Sequence, residues 1–249
     1  MVAAKGWVKI DQHPEIALWA AAARPIAVAA LTASAEVRRC GGTWAVGLDL
    51  LGNDAFGALG NVGFPWQAVG LLPESLHQGQ LSAVYPGYPQ PGTEETPAAA
   101  RFRKARDAAH LDGLLPVGPA RKRMMKEPHA WILGLPLNRC GAGAAPLVVW
   151  EGSHEVMRRR IGAELRRHAP EVWGDVDLTE VYTAARAEVF ATCPRVEVPV
   201  LPGEASLLHR LTIHGVAPWQ TGTDAPAEGR IIAYFRPVLP SVEAWLLQP

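Results

Sequence analysis

The stretch "RDAAHLDGLLP", residues 106 to 116, sets a histidine and an aspartate two positions apart with a glycine directly behind them. On an extended chain, residues i and i+2 project to the same side. His110 and Asp112 can therefore offer an imidazole nitrogen and a carboxylate oxygen to one cation, and Gly113 lets the chain turn away at once. In a chain with eight histidines the pair arises by accident with a chance of roughly a quarter, so it needs partners before it means anything.

Two protein donors hold an ion poorly. The 2-His-1-carboxylate arrangement of non-haem iron adds a second imidazole and leaves three positions open. His129, His154, His168, His209 and His214 stand downstream. His168 lies in a charged helical run, His129 follows "KEP" and reads as a surface residue, and His154 reads as structural, near a barrel rim. His209 and His214 share "LPGEASLLHRLTIHGVAPW", read as one strand, where a separation of five puts them on opposite faces. His214, with Gly215 at the strand end, is the better ligand because strand ends open on the mouth of a barrel, and His209 is the alternative. An iron enzyme that chelates 2-oxoglutarate must also grip the far carboxylate, which suits an arginine fork. Arg230 opens the next apolar run, "GRIIAYFRP", and Arg236 shares its strand parity as the fallback.

These residues need elements to carry them. Residues 12 to 38 read as two helices broken at Pro25, and 41 to 73 as short strands and tight turns. "PGTEETPAAA" reads as a polar loop. Apolar runs of strand length follow: one near 80, one around His110, then "AWILGLPL", "PLVVW", "VEVPV", "ASLLHRLTIHGV" and "GRIIAYFRPV". Residues 155 to 195 turn helical and charged. The expected fold is mainly β with helical support, a sandwich or jelly roll in one domain over 1–249. Residues 1–77 form the N-terminal support and 78–238 the core, with 155–195 inserted. Alternating βαβ units are absent, and "GAGAAP" precedes a strand, not a helix, so it is a hairpin loop rather than a dinucleotide fingerprint.

Composition narrows the partners. Lys+Arg and Asp+Glu both number 24, which argues against a nucleic-acid or membrane-surface binder. The basic runs "RFRKAR" and "RKRMMK" flank the proposed site and read as solvated loops; steering of an anionic substrate is the sharper alternative. Cys40, Cys140 and Cys193 are far apart, so neither a disulfide framework nor a zinc cluster is expected. The alanine-rich stretch from Leu18 to Ala35 is interrupted by Arg24-Pro25 and preceded by Asp11 and Glu15, unlike a signal segment, and a cytoplasmic protein is expected.

"HLDG", "PLVVWEGSH", "LPGEASLLHRLTIHGVAPW" and "GRIIAYFRP" together resemble the phytanoyl-CoA dioxygenase family of iron(II)/2-oxoglutarate oxygenases. The resemblance covers roughly residues 78 to 238, and the Gly152-Ser153-His154 turn with its preceding strand is its most specific piece. It implies a double-stranded β-helix of jelly-roll, cupin-like type, with His110, Asp112 and His214 holding Fe(II), Arg230 anchoring 2-oxoglutarate and Trp131 lining the cosubstrate pocket. It further implies dioxygen and a small organic molecule as reactants, with succinate and carbon dioxide released. Glu151 replaces the family's proline, Trp219 stands where asparagine is usual, and the loop from Gln220 to Glu228 is long. Two rivals stay open: a jelly-roll metalloenzyme that does not use 2-oxoglutarate, and a non-catalytic binding domain of the same fold.

Overall fold

A computed structural model of the chain describes residues 2–92 and 95–248. Eleven strands are present among them: β1 (Trp7–Ile10), β2 (Trp44–Asp49), β3 (Gln80–Val84), β4 (Leu114–Val117), β5 (Lys122–Met125), β6 (Trp131–Pro136), β7 (Leu147–Trp150), β8 (Arg195–Val198), β9 (Ala205–His209), β10 (His214–Val216) and β11 (Arg230–Phe235). Six form one sheet in the order β1-β9-β6-β11-β3-β2, three form a second in the order β10-β7-β8, and β4 with β5 makes a hairpin. Every strand pairing is antiparallel. The architecture is mainly antiparallel β with helices, of the expected jelly-roll type.

Period-two alternation divides the side chains into layers. On β11, Ile231, Ala233 and Phe235 face outward and join Leu81, Ala83, Leu133 and Leu135 in one core under a helix, Pro14–Ala33. Ile232 and Tyr234 face the other way, toward the smaller sheet. There Ile132, Leu147, Val149, Val198 and Leu208 fill the space between the sheets. The alternate residues of β7, Val148 and Trp150, meet the helical insertion: Met157, Ile161, Leu165, Tyr182 and Val189. That insertion comprises helices Ser153–Leu165 and Thr179–Thr192, joined through a 3-10 turn at Pro170–Asp175.

Several expectations need correction. The helix Pro14–Ala33 runs unbroken through Pro25. Its buried stripe of Ile16, Trp19, Ala20, Ala23 and Ala27 continues on both sides of the exposed proline, and that packing outweighs the lost backbone hydrogen bond. The same helix is long and apolar enough to cross a membrane by length and composition, yet its largest side chain, Trp19, is fully buried in the core. Residues 205 to 216 are two strands in different sheets, β9 and β10, separated by a turn at Arg210–Ile213. From 41 to 73 there is one strand, β2, followed by turns. The polar loop expected at 91 to 100 ends at Thr96, whose hydroxyl caps a helix, Pro97–Ala105, by accepting from Ala99 N–H; "RFRKAR" lies largely in that helix. Thr93 and Glu94 of that loop lie outside the described residues.

Candidate metal centre

The segment carrying His110 and Asp112 is a shaped loop, not a strand. Asp107 and Ala108 both take φ of 54°, in the left-handed region, which turns the chain toward the smaller sheet. Arg195 from β8 fastens this turn with a two-pronged bond to the Asp107 carboxylate, at 2.7 and 2.8 Å. The Asp107 carbonyl accepts from Val216 N–H at 2.7 Å. That approach requires glycine at 215, because a Cβ there would stand 2.1 Å from the same carbonyl oxygen. Gly113, at φ 78°, is equally constrained: a Cβ would lie 1.9 Å from the Glu127 carbonyl.

Between these fixed points His110 and His214 pair as an isolated antiparallel bridge, exchanging backbone hydrogen bonds of 2.9 and 3.2 Å. Residues directly opposite in such a pair point to one side, and the ring centroids stand 4.6 Å apart. Each imidazole is oriented alike. His110 Nδ1 meets the carbonyl of Ala108 at 3.0 Å, and His214 Nδ1 meets that of Thr212 at 2.9 Å. A carbonyl can only accept, so both Nδ1 atoms carry a proton, which makes Nε2 of each ring the atom that can ligate. Asp112 Oδ1 lies 3.1 Å from Nε2 of His110 and 3.7 Å from that of His214. All three donor atoms lie within 4.8 Å of one another, a set that can hold one metal ion.

The electrostatics suit a cation. Burial alone raises the Asp112 carboxyl, but His214, the His110 hydrogen bond and Arg236 outweigh it and hold the pKa well below the ordinary carboxylate value. Burial pushes His214 down to about 4, so the ring is neutral at pH 7, as a ligand must be. For His110 burial acts in the same direction, and the Asp112 contact more than reverses it, giving a raised pKa.

The donors open on a cavity of about 110 Å³ whose walls include Trp44, Gln80, Ser82, Ile132, Leu147 and Tyr234. Arg236 also lines it, donating from Nη1 to Asp112 Oδ2 at 2.8 Å. Arg230 is buried at the other end of β11, and its Nε has no hydrogen-bond partner among the described residues. It lines a separate, larger cavity of about 460 Å³ with Lys9, Asn138 and Glu204; Leu147 is common to both cavities. The three donors line the smaller space.

Trp131 is not in either cavity. Strand parity turns it outward with Leu133, onto the core beneath the long helix, and its Nε1 donates to Glu74 at 3.1 Å. Ile132 is the β6 residue that faces the donors. His129 is buried, not a surface residue: its Nδ1 donates to the Arg236 carbonyl at 3.0 Å. His154 is buried at the start of the helix Ser153–Leu165, and His209 contacts Arg158, so neither joins the donor set. Tyr88 packs in a side cluster edge-on to Trp44, and Tyr85 lies beneath the Arg38 guanidinium. Gln80 and His77 carried no spacing signal, although Gln80 on β3 lies opposite Tyr234 and shares its face.

No family model and no curated protein matches the sequence. Among solved structures, the chain is similar to the non-haem α-ketoglutarate-dependent epimerase SnoN from nogalamycin biosynthesis, at 15% identity over 94% of this chain and 79% of that one, with a TM-score of 0.46. It is similar to the non-haem α-ketoglutarate-dependent carbocyclase SnoK from the same biosynthesis, at 14% identity, 98% and 85% coverage, and a TM-score of 0.44. AviO1 from Streptomyces viridochromogenes Tue57 is a third, at 16% identity, 96% and 94% coverage, and a TM-score of 0.43.

Proposed function

We propose that this chain is a non-haem iron(II)/2-oxoglutarate-dependent oxygenase of the phytanoyl-CoA dioxygenase type, acting on a small organic substrate. The observation that carries the reading is the convergence of His110, Asp112 and His214, with both Nδ1 protons committed to backbone carbonyls. Two neutral imidazoles and one carboxylate are the donor types that suit iron(II) and leave positions open for other ligands. When bound, the metal and its keto-acid cosubstrate supply the activation of dioxygen and the oxidising power.

The protein's part is to bind, orient and exclude water. Asp112, ionised, supplies the negative charge, and the imidazoles stay fixed by their carbonyls. Ile132, Leu147 and Val216 give the cavity apolar walls. The far carboxylate of the cosubstrate is assigned to Arg230: it is buried, its Nε has no hydrogen-bond partner among the described residues, and Tyr234, four residues on, carries the same inner face toward the donors. Anaerobic titration with iron(II) and then 2-oxoglutarate tests the reading. A metal-to-ligand charge-transfer absorption should appear, followed in air by succinate release.

One observation favours a second reading, a metalloenzyme of this fold without 2-oxoglutarate: Arg230 lines the larger cavity rather than the donors' own. Arg230→Ala separates the two. Under the first reading it keeps iron and loses 2-oxoglutarate by tenfold or more, an interaction of the charge-assisted class. Under the second, wild type and variant take iron(II) equally and neither forms a chelate with 2-oxoglutarate.

A further inference from the structure

The two oxygens of Asp112 have different partners. Oδ1 faces the imidazoles at 3.1 and 3.7 Å, whereas Oδ2 accepts from Arg236 Nη1 at 2.8 Å. We infer that Arg236 is a positioning residue that makes Asp112 a one-oxygen ligand, and so keeps a coordination position open for the keto acid. The inference rests on the function proposed above.

A carboxylate beside a cation can close on it with one oxygen or with both. Closing with both would take a fourth position, leaving two, where a keto-acid chelate and dioxygen together need three. A guanidinium bonded to Oδ2 removes that option. A planar fork does this while serving a second acceptor at a fixed angle, and Arg236 Nη2 donates to Gln80 Oε1. Asp112 is 8% exposed and the Arg236 side chain 19%, so water competes little for either.

Arg236 is itself locked in place. Its main-chain N–H donates to His77 Nε2 at 2.8 Å, and its carbonyl accepts from His129 Nδ1 at 3.0 Å. His77 Nδ1 meets the Gln78 carbonyl at 2.5 Å, which places the proton on Nδ1 and leaves Nε2 as the acceptor that Arg236 needs. Past β11 the chain stays paired, through the bridge His129↔Val238. Gln80 and His77, three residues apart on the approach to β3, and His129 before β6 thus set one guanidinium against one carboxylate oxygen.

The test compares wild type with Arg236→Gln, Arg236→Lys and Gln80→Leu. Each is checked for folding by circular dichroism, then titrated anaerobically with iron(II) and with 2-oxoglutarate while the charge-transfer absorption is followed. Arg236→Gln should still take iron(II) but bind 2-oxoglutarate 10- to 100-fold more weakly, the usual cost of losing such an outer partner, with a shifted or missing band. Arg236→Lys should recover part of the affinity, and Gln80→Leu should move it the same way by less. A folded Arg236→Gln with wild-type affinity and band overturns the inference; if that variant does not fold, Gln80→Leu with wild-type behaviour does so. A wild type that forms no chelate removes the proposed function and this inference with it.

Discussion

His110 and His214 stand ring to ring at 4.6 Å and 53°, and His154 and His209 stand ring to ring at 5.2 Å and 46°. The two pairs look alike and differ in what their nitrogens face. Beside the first lies the Asp112 carboxylate, and both Nε2 atoms are turned toward it. Beside the second, His209 meets cations: Arg158 Nη2 is 2.8 Å from its Nε2, and Arg210 is the next residue, with its guanidinium on the carbonyls of Ala130, Trp245 and Gln248; the carboxylate at this pair, Glu155, is exposed and lies 3.3 Å from His154 Nε2 alone. His209 Nδ1 already accepts from Leu211 N–H at 3.0 Å. Proximity of imidazoles therefore does not make a metal site. A buried carboxylate within reach of both Nε2 atoms does.

Swapping the loss between pairs should break the comparison most sharply. His214→Ala and Asp112→Ala each remove a donor, and iron(II) affinity should fall more than about 100-fold, while far-ultraviolet circular dichroism stays that of a folded chain. His209→Ala should leave iron(II) affinity within about twofold. Isothermal titration with iron(II) under argon reads all three. Equal losses in both pairs would mean that the donor set has been drawn around the wrong histidines.

How far this was visible in the sequence depends on the range of the contact. The spacing of His110 and Asp112 and the turn at Gly113 stood out in the sequence, but the spacing argument assumed a strand where the chain forms a loop, and the close approaches at Gly113 and Gly215 involve backbone atoms far along the chain. The structure brings His214, not His209, beside His110 and Asp112, whereas the sequence argument for that choice assumed one strand. The turn at Arg210–Ile213 instead sends the two histidines into different sheets. Arg236 showed its parity but not its partner, since its bond to Asp112 spans 124 residues and depends on how β11 registers against β3 and β6. His77 and His129 were illegible for the same reason: each meets only the backbone of Arg236, and a backbone atom leaves no mark of residue type. Continuity through Pro25 was hidden because tertiary packing overrides a local breaker.

The cationic surroundings of the second pair lead to a pH effect. Burial first, and then Arg210, His154 and Arg158, depress His209 to about 3, against about 6.5 when unfolded. The unfolded chain therefore takes up the proton first as pH falls. The stability carried by neutral His209 is complete above pH 6.5 and is lost progressively toward pH 3. Between pH 7.5 and 5.0 this single group should cost about 2 kcal/mol, an order-of-magnitude figure. Urea denaturation at the two pH values should show a smaller drop for His209→Asn than for wild type. Parallel slopes for the two proteins would show that His209 does not titrate on unfolding.

The smallest effect is expected at Trp131, which lies one residue from Ile132 and on the opposite face of β6. Trp131→Phe keeps the ring over the outer core and gives up the bond from Nε1 to Glu74. That bond is exposed, so its loss should cost under about 1 kcal/mol in urea denaturation. Affinity for 2-oxoglutarate should stay unchanged, because the ring is turned away from both cavities. Ile132→Ala, in contrast, enlarges the cavity beside the donors and should weaken 2-oxoglutarate as well as stability. If Trp131→Phe instead altered cosubstrate binding while Ile132→Ala did not, the faces assigned to β6 would have to be exchanged, and the inward face of β11 with them, since the two strands are registered Tyr234 against Gly134.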